Sequence, residues 1–166
     1  NSISGITTGT VSATVTDSID SLMGITETTN TLTLIVNDTV VDAAKLITLD
    51  AKFTEAINFS SSVTTLSGTL ANINTVLGSA GIDAAQAADG LGLKNVTVTD
   101  AITKAELTTL DDITEGVITA TLSETTLDVL KTIADDHTNN VISVTVTGNT
   151  ASDASVPMIS SNHGAL

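Results

Sequence analysis

The residues best suited to chemistry are acids that recur where the chain turns: Asp50, Asp111 with Asp112, and Asp135 with Asp136. If successive layers of a fold bring such positions into line, their carboxylates stand about 5 Å apart, the spacing of neighbouring strands. Carboxylates that close repel one another unless a cation lies between them, and Ca²⁺ takes carboxylate and backbone oxygens. The alternative is a solvated acidic corner that contributes only solubility. The remaining signals are weaker. His137 and His163 fall in a turn and in the tail, where an ordinary exposed imidazole is expected. Gly90 and Gly92 make a Gly-x-Gly without the third glycine of a dinucleotide fingerprint, so the segment reads as a turn. No nucleophile elbow, P-loop or His-Glu-x-x-His is present. Three Asn-x-Ser/Thr sequons, at Asn37, Asn58 and Asn95, are what so threonine-rich a chain produces by chance. The residues therefore predict no enzyme, and no cofactor beyond the Ca²⁺ that the acidic corners would accept.

Charge and composition narrow the partners. The chain has 166 residues and a net charge of −14, from 19 acids against 5 Lys and Arg. Nucleic acid binding needs clustered cations to neutralise phosphates, so it is excluded, and an anionic membrane surface is disfavoured for the same reason. There is no Cys, which removes disulfides, thiolate metal sites and Cys nucleophiles. No apolar run approaches the roughly 20 residues that cross a bilayer as a helix. The sequence begins at Asn1 in mid-pattern, without initiator Met or signal peptide, and reads as processed or cut from something longer. It is 41% hydrophobic, enough for a core, but only 1% aromatic. Val, Ile, Leu and Ala make up nearly all of that core, a composition suited to stacked, similar layers.

The elements that would position the acids follow from periodicity. Strands alternate apolar and hydroxyl residues: Val11, Ala13 and Val15 with Thr14 and Thr16; Val96 and Val98 with Thr97 and Thr99; Ile118, Ala120 and Leu122 with Thr119 and Thr121; Ile142, Val144 and Val146 with Thr145 and Thr147. A period of two places one set in a core and the other on a second face. Further strands are read at 33–39 and 55–61. Helical spacing follows each strand, for example Val41, Ala44 and Leu46, or Val63, Leu66, Leu70, Ile73 and Leu77. Asp17, Asp38 and Asp100 stand where strand gives way to helix and are expected to be N-caps.

Strand-to-strand distances fall at about 22–25 residues, as from Val96 to Ile118, Ile118 to Ile142 and Leu32 to Ile57, with a longer unit carrying an insertion at 79–94. One strand and one helix fit that length. The predicted fold is α/β: a right-handed β/α solenoid over residues 1–148, its single parallel sheet lined by helices on one side and by a Thr/Ser ladder on the other. Residues 149–166, with the only proline, Pro157, are expected to form an extended arm or linker. The terminal strands, marked by Val11, Ala13 and Val15 and by Ile142, Val144 and Val146, lack edge Lys and Pro. Such edges are expected to pair head to tail with other copies of the chain or with neighbouring repeats.

The segments SSSVTTLSGTLANINTVLGSAGI at 60–82, NVTVTDAITKAEL at 95–107 and LTTLDDIT at 107–114 resemble the Thr/Ala/Gly-rich tandem repeats of giant bacterial cell-surface proteins, notably those of marine cyanobacteria, and of RTX-like secreted proteins. The resemblance spans roughly residues 10–148 and contains no catalytic motif. The Gly-Gly-x-Gly-x-Asp nonapeptides that bind calcium in RTX proteins are absent, so calcium dependence does not carry over. The resemblance implies an extracellular or cell-surface location and a role in a filament, surface layer or adhesin stalk. Two other readings remain open: a binding module whose threonine face meets a glycan, mineral or ice surface, and a viral appendage or decoration protein.

Overall fold

The computed structural model describes residues 9–26, 30–82, 94–123 and 140–144. Its four described helices each begin at a side chain able to accept from the free N–H groups of a first turn. Ser18 caps α1 (Ile19–Met23) by accepting from Ser21 N. Asp42 caps α2 (Ala43–Asp50), accepting from Ala44 N and Lys45 N. Thr69 caps α3 (Leu70–Gly78) through Asn72 N. Thr103 opens α4 (Lys104–Asp111) with a complete capping box, in which Glu106 reaches back to the Thr103 N–H. Each helix then buries one stripe at helical spacing: Ile19 and Leu22; Ala43, Leu46 and Leu49; Ile73 and Val76; Leu107 and Leu110.

The strands form two sheets, parallel throughout. A three-stranded sheet has the order β1 (Ser12–Asp17), β2 (Thr31–Val36), β4 (Ile57–Phe59). A five-stranded sheet has the order β3 (Val40–Asp42), β5 (Thr65–Gly68), β6 (Asn95–Ile102), β7 (Ile118–Leu122), β8 (Val141–Val144). The chain passes from the first sheet to the second twice, between β2 and β3 over 37–39 and between β4 and β5 over 60–64, and enters a helix only afterwards. One isolated bridge, Ile57 to Ile82, extends the smaller sheet beyond β4.

Both sheets and the helices enclose one apolar core. In the larger sheet Val41, Leu66, Val96 and Ile118 are register partners on four successive strands, and all four are fully buried. Leu34 and Ile57 are the matching pair in the smaller sheet, also fully buried. Leu22, Leu46, Leu49 and Ile73 close the core from the helices. Each such side chain contributes about 1.5–3 kcal/mol of hydrophobic stabilisation. Phe53 is the one buried aromatic among the described residues.

These observations correct the expected architecture. The chain is a globular mixed α/β domain with two distinct sheets, not a solenoid with one continuous sheet and one strand plus one helix per turn. Its packing is dominated by residue pairs far apart in sequence. The resemblance to tandem repeats of giant surface proteins falls with the elongated repeat architecture it implied, and so do the filament, surface-layer and stalk roles. The error began with β3 and β5. Each has only three or four residues, too few to show alternation. Val41 and Leu66 also lie three or four residues from apolar helix positions, so both strands share the helical spacing of the segments that follow. The expected helix from Val63 starts only at Leu70. The C-terminal arm at 149–166 and most of the insertion lie outside the described residues.

Candidate functional site

The hydroxyl residues form two separate arrays. In the smaller sheet Ser12 pairs with Thr31, Thr14 with Thr33, and Thr16 with Ile35. The four Thr side chains and Ser12 are exposed. In the larger sheet a single row crosses all five strands: Asp42, Ser67, Thr97, Thr119 and Val141 are successive register partners. Its three central hydroxyl residues are half-buried, while Asp42 and Val141 at the ends are exposed. Thr121 pairs with Ala101 and Ser143 one step further along. Thr99 is in neither array, because the β6–β7 register shifts between Thr97 and Ala101 and leaves it in the irregularity. The predicted ladder is therefore divided: Thr14 and Thr16 stand on one sheet, Thr97, Thr119 and Thr121 on the other. Thr145 and Thr147 lie outside the described residues. Ser67, in the longer row, is not apparent from the sequence, because β5 carries helical spacing there.

The acidic corners are occupied by hydrogen bonds. Asp50, the last residue of α2, accepts from Ser79 Oγ at 2.6 Å. A Cβ at Gly81 would overlap that same carboxylate, so glycine leaves the space Asp50 fills. Asp111, the last residue of α4, is buried and accepts from Asn140 Nδ2 at 2.8 Å. Both bonds join a helix end to a segment 29 residues further on. Asp112 is the exposed C-cap of α4. Asp135 and Asp136 lie outside the described residues. Among the described residues no group of three or more His, Asp and Glu stands together as a metal site.

Asp38 and Asp100 hold helix starts, but not those of the helices that follow them. Asp38 Oδ2 accepts from Ile19 N at 2.6 Å, at the start of α1, 19 residues earlier. Asp100 Oδ1 accepts from Leu70 N at 2.9 Å, at the start of α3, 30 residues earlier. The Asp17 carboxylate accepts from the adjacent Ser18 N. The expected N-cap role of these three residues is corrected accordingly, with Ser18, Asp42, Thr69 and Thr103 as the caps. Asparagines do comparable work at strand starts. Asn30 Oδ1 accepts from Val11 N, Asn95 Oδ1 from Val117 N, and Asn140 Oδ1 from Ile118 N. In each case the residue lies immediately before a strand or opens it, a positional signal present in the sequence.

Among the described residues, Glu106 and Lys45 are displaced from their ordinary titration. Glu106 is held below the usual carboxylate range, chiefly by the backbone N–H of Thr103 and then by its hydroxyl. Lys45 is raised, chiefly by its hydrogen bond to Asp20 at 2.6 Å, with Asp42 and Asp38 adding attraction. Both sites are exposed surface features.

The strands expected to serve as assembly edges belong to different sheets. Val11 is half-buried just before β1, and in β1 Ala13 is exposed and Val15 half-buried. In β8, Val144 pairs with Leu122 and Ile142 is half-buried; Val146 lies outside the described residues. β1 edges the three-stranded sheet and β8 the five-stranded one, so they are not two ends of one sheet that successive copies could continue head to tail. No described helix is long and apolar enough to cross a membrane. Comparisons with protein-family models, curated proteins and solved structures found no match to this chain.

Proposed function

We propose that this chain is a non-catalytic, exported domain that recognises a neutral, hydroxyl-rich polymer, a glycan, along the row Ser67–Thr97–Thr119. The observation that carries this reading is the row itself: three hydroxyls in register on adjacent parallel strands. Strand spacing puts such groups about 4.8 Å apart on a rigid sheet, a repeat along which a polyol can exchange hydrogen bonds. The net charge of −14 repels polyanions and favours an uncharged partner over nucleic acid or an anionic membrane. Asp38, Asp42 and Asp100 each accept from a backbone N–H, and Asp50 and Asp111 from side chains, which supports a structural use of the acids over an acid–base one. The exposed Ser and Thr side chains of the smaller sheet suit an extracellular setting.

The test is cosedimentation with insoluble neutral polysaccharides, comparing the native chain with Thr97→Val/Thr119→Val. Valine keeps the β-branched shape and removes the hydroxyl. Loss of binding at an unchanged melting temperature is expected. A chain that binds none of the polysaccharides, or a double variant that binds equally well, would sink the proposal.

A further inference from the structure

The three sequons are equivalent in sequence but not in structure. Asn95 opens β6, is half-buried, and its Oδ1 accepts from Val117 N at 2.9 Å. Asn58 lies in mid-strand in β4, half-buried and paired with Ile35. Asn37 stands in the three-residue link between the sheets, exposed, with no regular structure. Its backbone N–H donates to Asp17 O, which anchors the main chain, while neither its side chain nor that of Thr39 makes a hydrogen bond with a described residue. The intervening Asp38 carboxylate is engaged by Ile19 N. Thus both side chains that define the sequon are available, and its middle residue is folded back onto α1.

We infer that Asn37 is the chain's acceptor for an asparagine-linked glycan. A second observation favours this position. β3 has no described partner on one side, and Val40, three residues beyond Asn37, is 55% exposed, more than any other large hydrophobic described. Open edges with apolar side chains invite association, and proteins commonly cover them. A glycan at Asn37 supplies a hydrophilic cover next to that edge. In the transfer step the Asn37 amide nitrogen attacks the anomeric carbon of a lipid-diphosphate-linked oligosaccharide. A C–N bond forms, the bond to the diphosphate breaks, the lipid diphosphate leaves, and the amide loses one proton.

The inference rests on the exported location proposed above, but its test does not involve sugar recognition. The folded, purified full chain is incubated with a purified oligosaccharyltransferase and a lipid-diphosphate-linked oligosaccharide, and the product is mapped by mass spectrometry. One glycan, at Asn37, is expected. Asn37→Gln and Thr39→Ala should each abolish it, and Thr39→Ser should retain it. Circular dichroism checks that these exposed variants keep the fold. No transfer to the folded chain would overturn the inference, as would transfer to Asn58 or Asn95. Loss of polysaccharide binding in the Thr97/Thr119 test has no bearing on this result, so the two readings fail separately.

Discussion

The strands β1 and β6 carry nearly the same sequence, SATVTD and NVTVTD, yet the fold treats them differently. In β6, Val96 and Val98 are buried, flanked by β5 and β7. In β1, Ala13 is exposed and Val15 half-buried, with β2 as the single described neighbour. An identical alternation thus encodes a central strand in one place and an edge strand in another. Periodicity selects which face turns inward; the number of neighbours decides how deeply that face is covered. The most direct way to break this comparison is to place the same charge in both. Val98→Asp should cost on the order of 4 kcal/mol or more, because an unpaired carboxylate would stand in the core. Val15→Asp should cost about 1 kcal/mol, since water reaches that side chain. Denaturant titration of both variants measures the difference, and equal losses would mean that β1 is as enclosed as β6.

A close backbone approach fixes the start of β7 against β6. Gly116 is buried, and a Cβ there would overlap the Lys94 carbonyl and approach Asn95 N. Thr114 Oγ1 donates to the Lys94 carbonyl and accepts from Gly116 N. Main-chain atoms cannot rotate aside as a side chain can. Gly116→Ala should therefore destabilise by about 1–3 kcal/mol, the usual range for overpacking. Gly24→Ala, near α1, should be much milder because the new methyl would press on a single exposed carbonyl. Melting temperatures compare the two directly.

Much of this was legible in the sequence. The strands β1, β4, β7 and β8 fall within segments of strand pattern, β2 and β6 overlap such segments, and α2 and α4 overlap segments of helical spacing, although their caps are Asp42 and Thr103 and not Asp38 and Asp100. The division into two sheets was not legible, because β3 and β5 were not. A three-residue strand such as β3 carries no period, and its one inward residue, Val41, is equally good as the first apolar position of α2. The site was obscured for the same reason, since Ser67 joins the row of Thr97 and Thr119 only once β5 is recognised as a strand. The acids were recognised as corner residues, but their partners lie 19–30 residues away. Spacing along the chain does not specify which backbone N–H a carboxylate meets after folding.

The same cross-chain acids distinguish the two halves in a subtler way. Asp38 ties the link between the sheets to α1, and Asp100 ties the irregular part of β6 to α3. Asp38→Ala and Asp100→Ala each remove the acceptor for a helix-start N–H and should cost about 1 kcal/mol. Hydrogen exchange should speed at Ile19 in the first variant and at Leu70 in the second. Asn at either position keeps an acceptor oxygen and should restore most of the protection. If exchange rises equally at both helices in either variant, the two ties form one cooperative unit.

The smallest expected effect separates a local cap from these long-range ones by pH. Glu106 accepts from Thr103 N at 2.7 Å and from Thr103 Oγ1 at 2.9 Å, which stabilises its charged form in the folded chain. Its folded pKa is depressed, so the unfolded chain binds the proton more readily. The resulting stability is fully present above the ordinary glutamate value of about 4.3 and is lost as pH falls through the depressed folded value. Lys45 has the opposite sign. Its folded pKa is raised, so its contribution is complete below the ordinary value and is lost as pH rises through the raised one. Glu106→Gln should therefore flatten part of the acid side of the stability profile and leave the alkaline side unchanged, while Lys45→Met should do the reverse. Both groups are exposed, so salt should weaken the Lys45 effect, which depends on an ion pair in water. The Glu106 effect should resist salt better, because its main cause is a directed bond from a backbone N–H. A Glu106 profile that collapses in salt as far as that of Lys45 would mean that general charge attraction, not the capping box, holds the carboxylate.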